Sequence, residues 1–300
     1  MPTPVAKKRN SAHAAEDISR DARDHPVVLI TGASSGFGQA CARHLSTHGY
    51  RVYGTSRRAA WSPDGKSASP ESDPYQMIPM DVCDTASVHT GVDFVVKDAE
   101  RIDVVVCNAG FGLAGAVEDS DVEEVKRQFE TNFFGTWRVC RAALPHLRRR
   151  GAGYLVIVGS LAGLMGIPFQ AAYSASKFAL EGLAEALRME VKPWGVHVVL
   201  IQPGDFRTGF TRNRIKTAAS GQNPDYAATF ARALAVMEKD ERQGPAPESL
   251  ARLLERIITH PTPRLRYTAG TISQRIGALL KRVLPGRLFE WLMMTTYKLN

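Results

Sequence analysis

From residue 26 to residue 202, short apolar runs alternate with longer stretches of helical period, and few architectures accept that pattern. The runs at 27–30, 50–55, 77–80, 103–107, 154–159 and 196–202 read as strands. The stretches at 38–48, 88–99, 122–148 and 172–192 read as helices. Val27-Val28-Leu29-Ile30 shows no polar alternation, as expected of a strand covered on both faces. Strands separated by helices of this size build βαβ units, whose crossovers are right-handed. The expectation is an α/β fold: a doubly wound parallel sheet with helices on both faces.

Beyond residue 209 the pattern changes. Residues 211–244 are polar and helix-prone without obvious strands, 247–258 form an amphipathic helix, and 264–270 read as a final edge strand. Two amphipathic helices, 272–284 and 287–297, are broken at Pro285-Gly286. Residues 1–25 are polar, lack the apolar core of a secretory signal, and read as a disordered tail. Residues 59–74, rich in Ser, Pro, Gly and Asp, read as a loop. The organisation expected is a tail at 1–25, a Rossmann-type domain at 26–270 with a substrate lid at 205–247, and a helical extension at 271–300.

A hydrophobic share of 44% supplies a full core, and the net charge of +8 favours phosphates, an anionic membrane surface or an acidic carrier protein. The positive charge is scattered. Its one compact run, Arg148-Arg149-Arg150, most simply ends a helix, so nucleic acid is not an expected partner. Cys41, Cys83, Cys107 and Cys140 are widely spaced in apolar contexts and read as four buried thiols. With no CxxC and no partnered His cluster, neither a disulfide framework nor a metal site is expected, and a reducing, cytoplasmic setting fits. No apolar stretch reaches 18 residues, the length a membrane-spanning helix needs.

The first strand runs into Thr31-Gly32-Ala33-Ser34-Ser35-Gly36-Phe37-Gly38, which opens the first helix. Gly32 permits a tight turn, Gly36 lets backbone approach a pyrophosphate, and Gly38 lets helix and strand pack closely. The helix-start N–H groups then face the anion. The second strand ends at Thr55-Ser56-Arg57-Arg58, where an NAD-binding fold carries an acid for the ribose 2′-hydroxyl. Two arginines stand there instead. A guanidinium pairs with a 2′-phosphate, so NADP(H) is expected over NAD(H), with Arg57 the first candidate and Arg58 the second. Tyr173 and Lys177 stand four residues apart, one turn apart on one helix face.

The Gly-x-x-x-Gly-x-Gly spacing of that loop resembles the short-chain dehydrogenase/reductase family. So do Asp81-Val82, Asn108-Ala109-Gly110, Ser160, Tyr173-x-x-x-Lys177, Asn132 and the turn Pro203-Gly204-x-x-x-Thr208. Cys107 stands where the family usually has a second Asn. The resemblance implies that Asp81 and Val82 hold the adenine, and that Asn108, Ala109 and Gly110 line its ribose. It implies that Pro203 and Gly204 carry the nicotinamide amide, with Thr208 toward the pyrophosphate. The implied catalytic group is Asn132, Ser160, Tyr173 and Lys177. Tyr173 is the proton donor or acceptor, and Ser160 holds the substrate oxygen. Lys177 holds the nicotinamide ribose and favours the phenolate, and Asn132 anchors a relay water. A homodimer or homotetramer through the helices bearing Asn132 and Tyr173 is implied too.

The stretches 107–113, 163–169 and 175–182 resemble the estradiol 17β-hydroxysteroid dehydrogenase and retinol dehydrogenase subgroup. That implies a lipophilic alcohol or ketone of steroid, retinoid or lipid type. Leu164, Met165, Ile167 and Phe169 follow Ser160 and either line an apolar pocket, Met165 foremost, or pack the sheet's top edge. Ile272, Ile276, Leu279, Leu280 and Val283 lie at helical spacing among Arg275, Lys281 and Arg282. That face either packs on the core or a subunit interface, or rests peripherally on a membrane. Two other functions stand beside the main one: reduction of 3-oxoacyl groups on an acidic carrier protein, and non-catalytic NADP sensing.

Overall fold

The computed structural model describes residues 25–61 and 73–300. The tail expected at 1–25, but for His25, and most of the loop expected at 59–74 lie outside the described residues. The sheet is built from β1 (Val27–Ile30), β2 (Arg51–Ser56), β3 (Gln76–Pro79), β4 (Val104–Cys107), β6 (Gly153–Val158), β7 (Val196–Pro203) and β9 (Arg266–Ala269). Their order is β3-β2-β1-β4-β6-β7-β9, and every pairing is parallel. The doubly wound sheet is as expected, down to the edge strand β9.

Successive side chains of a strand point to opposite faces, so each apolar run feeds two cores. Leu29 joins the core under α2 (Thr85–Ala99), α4 (Gly135–Arg150) and α5 (Ala171–Val191). Val28 and Ile30 join the core under α1 (Gly36–Thr47) and α8 (Glu248–Ile258). Asp103, at the head of β4, is fully buried and ties three elements together. It accepts from Val27 N at 2.7 Å and pairs with Arg101 and with Arg150 at the end of α4.

Several features depart from the sequence expectation. The helix expected at 122–148 is broken: α3 (Val122–Phe129) and α4 are joined by one π-helical turn, Glu130–Phe134. The segment expected to lack strands holds β8 (Ile215–Lys216), paired in parallel with β5 (Leu113–Ala114), before α7 (Pro224–Gln243). A short α6 (Phe210–Asn213) precedes β8. Cys83 is only partly buried, whereas the other three thiols are buried.

The C-terminal extension forms α9 (Ile272–Val283) and α10 (Gly286–Thr296). Ile272, Ile276, Leu279 and Val283 do not pack on the core: they are 75%, 50%, 59% and 67% exposed. The inner face is made instead by Gln274, Ala278 and Leu284, with Phe289 and Met293 of α10 reaching Leu161 and Met165. A helix with so small an inner stripe leaves its larger apolar residues on the outside. No helix among the described residues is long and apolar enough to cross a membrane.

Asp103→Ala removes a buried acceptor and strands two guanidinium groups. It should cost about 3 kcal/mol, as is usual when one partner of a buried pair is lost. Urea unfolding checks this; a loss below about 1 kcal/mol, the size of an exposed ion pair, contradicts it.

Candidate active site

The carboxyl ends of β1, β4, β6 and β7 meet where the strand order reverses between β1 and β4, the usual ligand crevice of such a sheet. After β1, Gly32 and Gly36 have φ +67 and +57, which L side chains adopt with strain. A Cβ on Gly38 would lie 2.3 Å from the Gly32 carbonyl oxygen and 2.6 Å from Asn108 Nδ2, so only glycine lets α1 start here. Its N-cap Ser35 makes no side-chain capping bond and its first turn carries no acid, leaving N–H groups for an outside anion. An open cleft of about 370 Å³ lies against Ser35, Gly36, Thr208 and Arg212. Phe37 packs edge-on against Phe206, 5.0 Å between centroids. Ser34 is exposed.

The end of β4 is fixed to this loop. Asn108 Nδ2 donates to the carbonyls of Thr31 and Gly32 at 2.9 and 3.2 Å. The amides of Asn108 and Ala109 both donate to Thr31 Oγ1. Thr31 thus holds the two glycine-bearing turns together, a role the sequence reading gave it no credit for. Gly110 leaves room for Asn132 Oδ1, which a Cβ would approach to 3.0 Å. Asp81 accepts from Cys83 N at 2.9 Å, and Val82 is buried against Gly135. Arg57 and Arg58 project from the end of β2, both exposed and without an ion pair among the described residues.

The four expected catalytic residues converge. Tyr173 and Lys177 share the buried face of α5, 8% and 7% exposed. Lys177 Nζ donates to the Val158 carbonyl at 2.9 Å and lies 5.7 Å from the Tyr173 ring centroid. Ser160 follows β6, accepts from Ala162 N at 3.1 Å and donates to the Pro203 carbonyl at 3.4 Å. Asn132 sits in the π turn, which aims its amide inward. Nδ2 donates to the Phe111 carbonyl and to Ser176 Oγ, and Oδ1 accepts from Phe111 N. Ser176, which holds that amide, is hidden in the Tyr-x-x-x-Lys motif as an anonymous middle residue. Met165 is buried with Leu161, Ala278 and Phe289, while Ile167 and Phe169 also reach Phe230 and Leu234 on α7. These contacts are those of the packing reading of the 164–169 segment.

Burial sets the protonation. It pushes the Tyr173 phenol up to about 12, against the opposing pull of its hydrogen bond with Ser160. Burial also brings Lys177 down to about 8. Lys177 was expected to draw the phenol down. Its ammonium is engaged with the Val158 carbonyl instead, and burial prevails. At neutral pH the arrangement is a protonated phenol beside a charged lysine.

The model for the short chain dehydrogenase family matches residues 26–219. This chain belongs to the short-chain dehydrogenase/reductase family. It is similar to the 3-ketodihydrosphingosine reductase of Bacteroides thetaiotaomicron, 42% identical over 274 residues, 91% of this chain and 98% of that one. It is also similar to human 17-beta-hydroxysteroid dehydrogenase type 1, 35% identical over 253 residues, 80% of this chain and 76% of that one. A solved short-chain dehydrogenase from Streptomyces avermitilis aligns with a TM-score of 0.74 at 32% identity, covering 91% of this chain and 98% of that one. The chain is an oxidoreductase acting on carbonyl or hydroxyl groups, of a family that binds nicotinamide cofactors. Non-catalytic sensing is set aside.

One cluster was not foreseen. His44 and His48 on α1 and Glu255 on α8 bring three ligand atoms within 4.8 Å of one another, with His44 Nε2 2.7 Å from Glu255. The sequence showed no partnered His cluster because Glu255 lies some two hundred residues away.

Lys177 loses its charge as pH rises through about 8. The rate of carbonyl reduction per enzyme should therefore hold below that pH and fall above it. A kcat/KM profile that stays flat to pH 10 contradicts this.

Proposed function

We propose that this chain is an NADPH-dependent reductase of lipophilic ketones. The buried Tyr173, hydrogen-bonded with Ser160 and one helical turn from Lys177, is the observation that carries this reading. A donor phenol suits reduction, in which the substrate oxygen must gain a proton. Ser160 hydrogen-bonds that oxygen and sets it against Tyr173 Oη. Lys177 holds the nicotinamide ribose, and Asn132, clamped by Phe111 and Ser176, anchors the water that returns the proton. A bound nicotinamide supplies the hydride.

The residues present fit such a cofactor. The positive-φ glycines, the uncapped start of α1 and the cleft beside Thr208 suit a pyrophosphate. Ser34, Ser35, Gly36, Phe37 and Gly38 form that loop. Asp81 and Val82 hold the adenine, and Asn108, Ala109 and Gly110 its ribose. Pro203 and Gly204 take the nicotinamide amide, and Thr208 faces the pyrophosphate. Arg57 and then Arg58 take the 2′-phosphate.

The apolar part of the substrate is assigned to the side of Leu161, Met165, Phe289 and Met293, which pack together just past Ser160. Their apolar surface suits a long hydrocarbon or ring system, and the similarity to the 3-ketodihydrosphingosine reductase favours a lipid ketone. The outward stripe of α9, flanked by Arg275, Lys281 and Arg282, suits rest on an anionic membrane surface from which such a substrate comes. Phe134, Trp137 and Phe178, exposed on the π turn before α4, on α4 and on α5, suit a homodimer face.

Titration with NADPH and NADH, alongside Arg57→Ala, tests the cofactor. NADPH should bind at least about tenfold tighter, and the variant should lose that advantage, since a charged hydrogen bond is worth about 1.5–3 kcal/mol. Equal binding of both nucleotides contradicts the arginine argument. NADPH consumption with 3-ketodihydrosphingosine, estrone and a carrier-bound 3-oxoacyl group then ranks substrates. Preference for the carrier-bound group contradicts the lipid reading.

A further inference from the structure

The surroundings of Tyr173 are not wholly apolar. The ring of Phe210 lies 5.7 Å from that of Tyr173, and the Arg214 guanidinium lies 5.5 Å over Phe210. Arg214 pairs with Glu241 of α7, their side chains only 2% and 7% exposed. Asp205 stands two residues past Pro203, whose carbonyl accepts from Ser160. Its Oδ2 accepts from Gln274 Nε2 of α9 at 2.6 Å, and no other hydrogen bond reaches that carboxylate among the described residues. The charges here do not balance: Asp205, Glu241 and Asp240 bear on the one guanidinium of Arg214. Burial first, then Glu241 and Asp240, push Asp205 up to about 7, and Asp205 and Glu241 add to the rise at Tyr173.

The cluster also holds unmet hydrogen-bonding capacity. Arg214 Nε and Nη1 are buried without a partner among the described residues. A purely hydrocarbon substrate would leave those donors unmet and set Asp205 against oil, both costly. A cation beside the carbonyl supplies the missing positive charge and the missing donor. An oxygen on the same ligand meets Arg214.

We propose that Asp205 is a specificity-determining residue that binds an amine carried by the substrate next to its carbonyl, which makes the substrate class a long-chain amino ketone bearing a further hydroxyl. The proposal rests on the lipid-ketone reading above and deepens it. The neutral amide of Asp205→Asn keeps the shape and can still accept from Gln274, so the variant removes the charge alone.

The experiment measures kcat/KM with NADPH for a long-chain 2-amino-3-ketone and for the same ketone without the amine, in the full-length protein and in Asp205→Asn. The parent should prefer the amino ketone by about tenfold or more, the usual size of a charge-assisted contact. Asp205→Asn should bring that ratio toward one. A merely structural role would lower both rates together and leave the ratio intact, which overturns the proposal. So does a parent that reduces both ketones equally; that outcome leaves the lipid-ketone reading standing. Turnover of neither ketone overturns both.

Discussion

Burying a phenol and an ammonium one helical turn apart is the constraint on which the rest of the site depends. Water would hold Tyr173 and Lys177 near their ordinary values; the interior pushes one up and the other down. Each needs compensation from backbone or neighbours. Lys177 takes it from the end of β6, through the Val158 carbonyl. Tyr173 takes it from Ser160, two residues beyond the end of the same strand. Because β6 lies next to β4, this also sets the pair at the carboxyl end of the sheet, one strand from the crevice between β1 and β4.

A second constraint is steric. Gly38, pressed on Gly32 and Asn108, locks the first helix to two strands at once. Thr31 completes the lock with its hydroxyl. The result is a rigid floor, on which a lid of α7, α9 and α10 is laid. Those helices are apolar where they meet Leu161 and Met165 and polar where Gln274 donates to Asp205.

Much of this was legible in the sequence. Runs such as Val27–Ile30 declared a strand buried on both faces, and the glycine spacing declared the turn that follows it. The chemistry-bearing residues were legible because each is of a type the reaction needs. What escaped had a common cause: partners brought from afar or a local break in period. The π turn at Asn132 adds no breaker residue to the sequence, so the helix looked continuous. The two-residue strands β5 and β8 are too short to show alternation. Gln274 reaches Asp205 across 69 residues, and nothing in either segment announces the other. The stripe of α9 was visible, but its side was not: periodicity gives a face, and only the fold says whether it looks in or out.

In this site the buried Tyr173 phenol is proposed as the proton donor for carbonyl reduction. Tyr173→Phe keeps the ring and its packing against Phe210 while removing the one transferable proton. The most direct measurement is NADPH affinity and steady-state ketone reduction in that variant beside the parent. NADPH should bind within about twofold of the parent, and kcat should fall by about a hundredfold to ten-thousandfold, the range for loss of a positioned acid. Turnover within tenfold of the parent would contradict the claim.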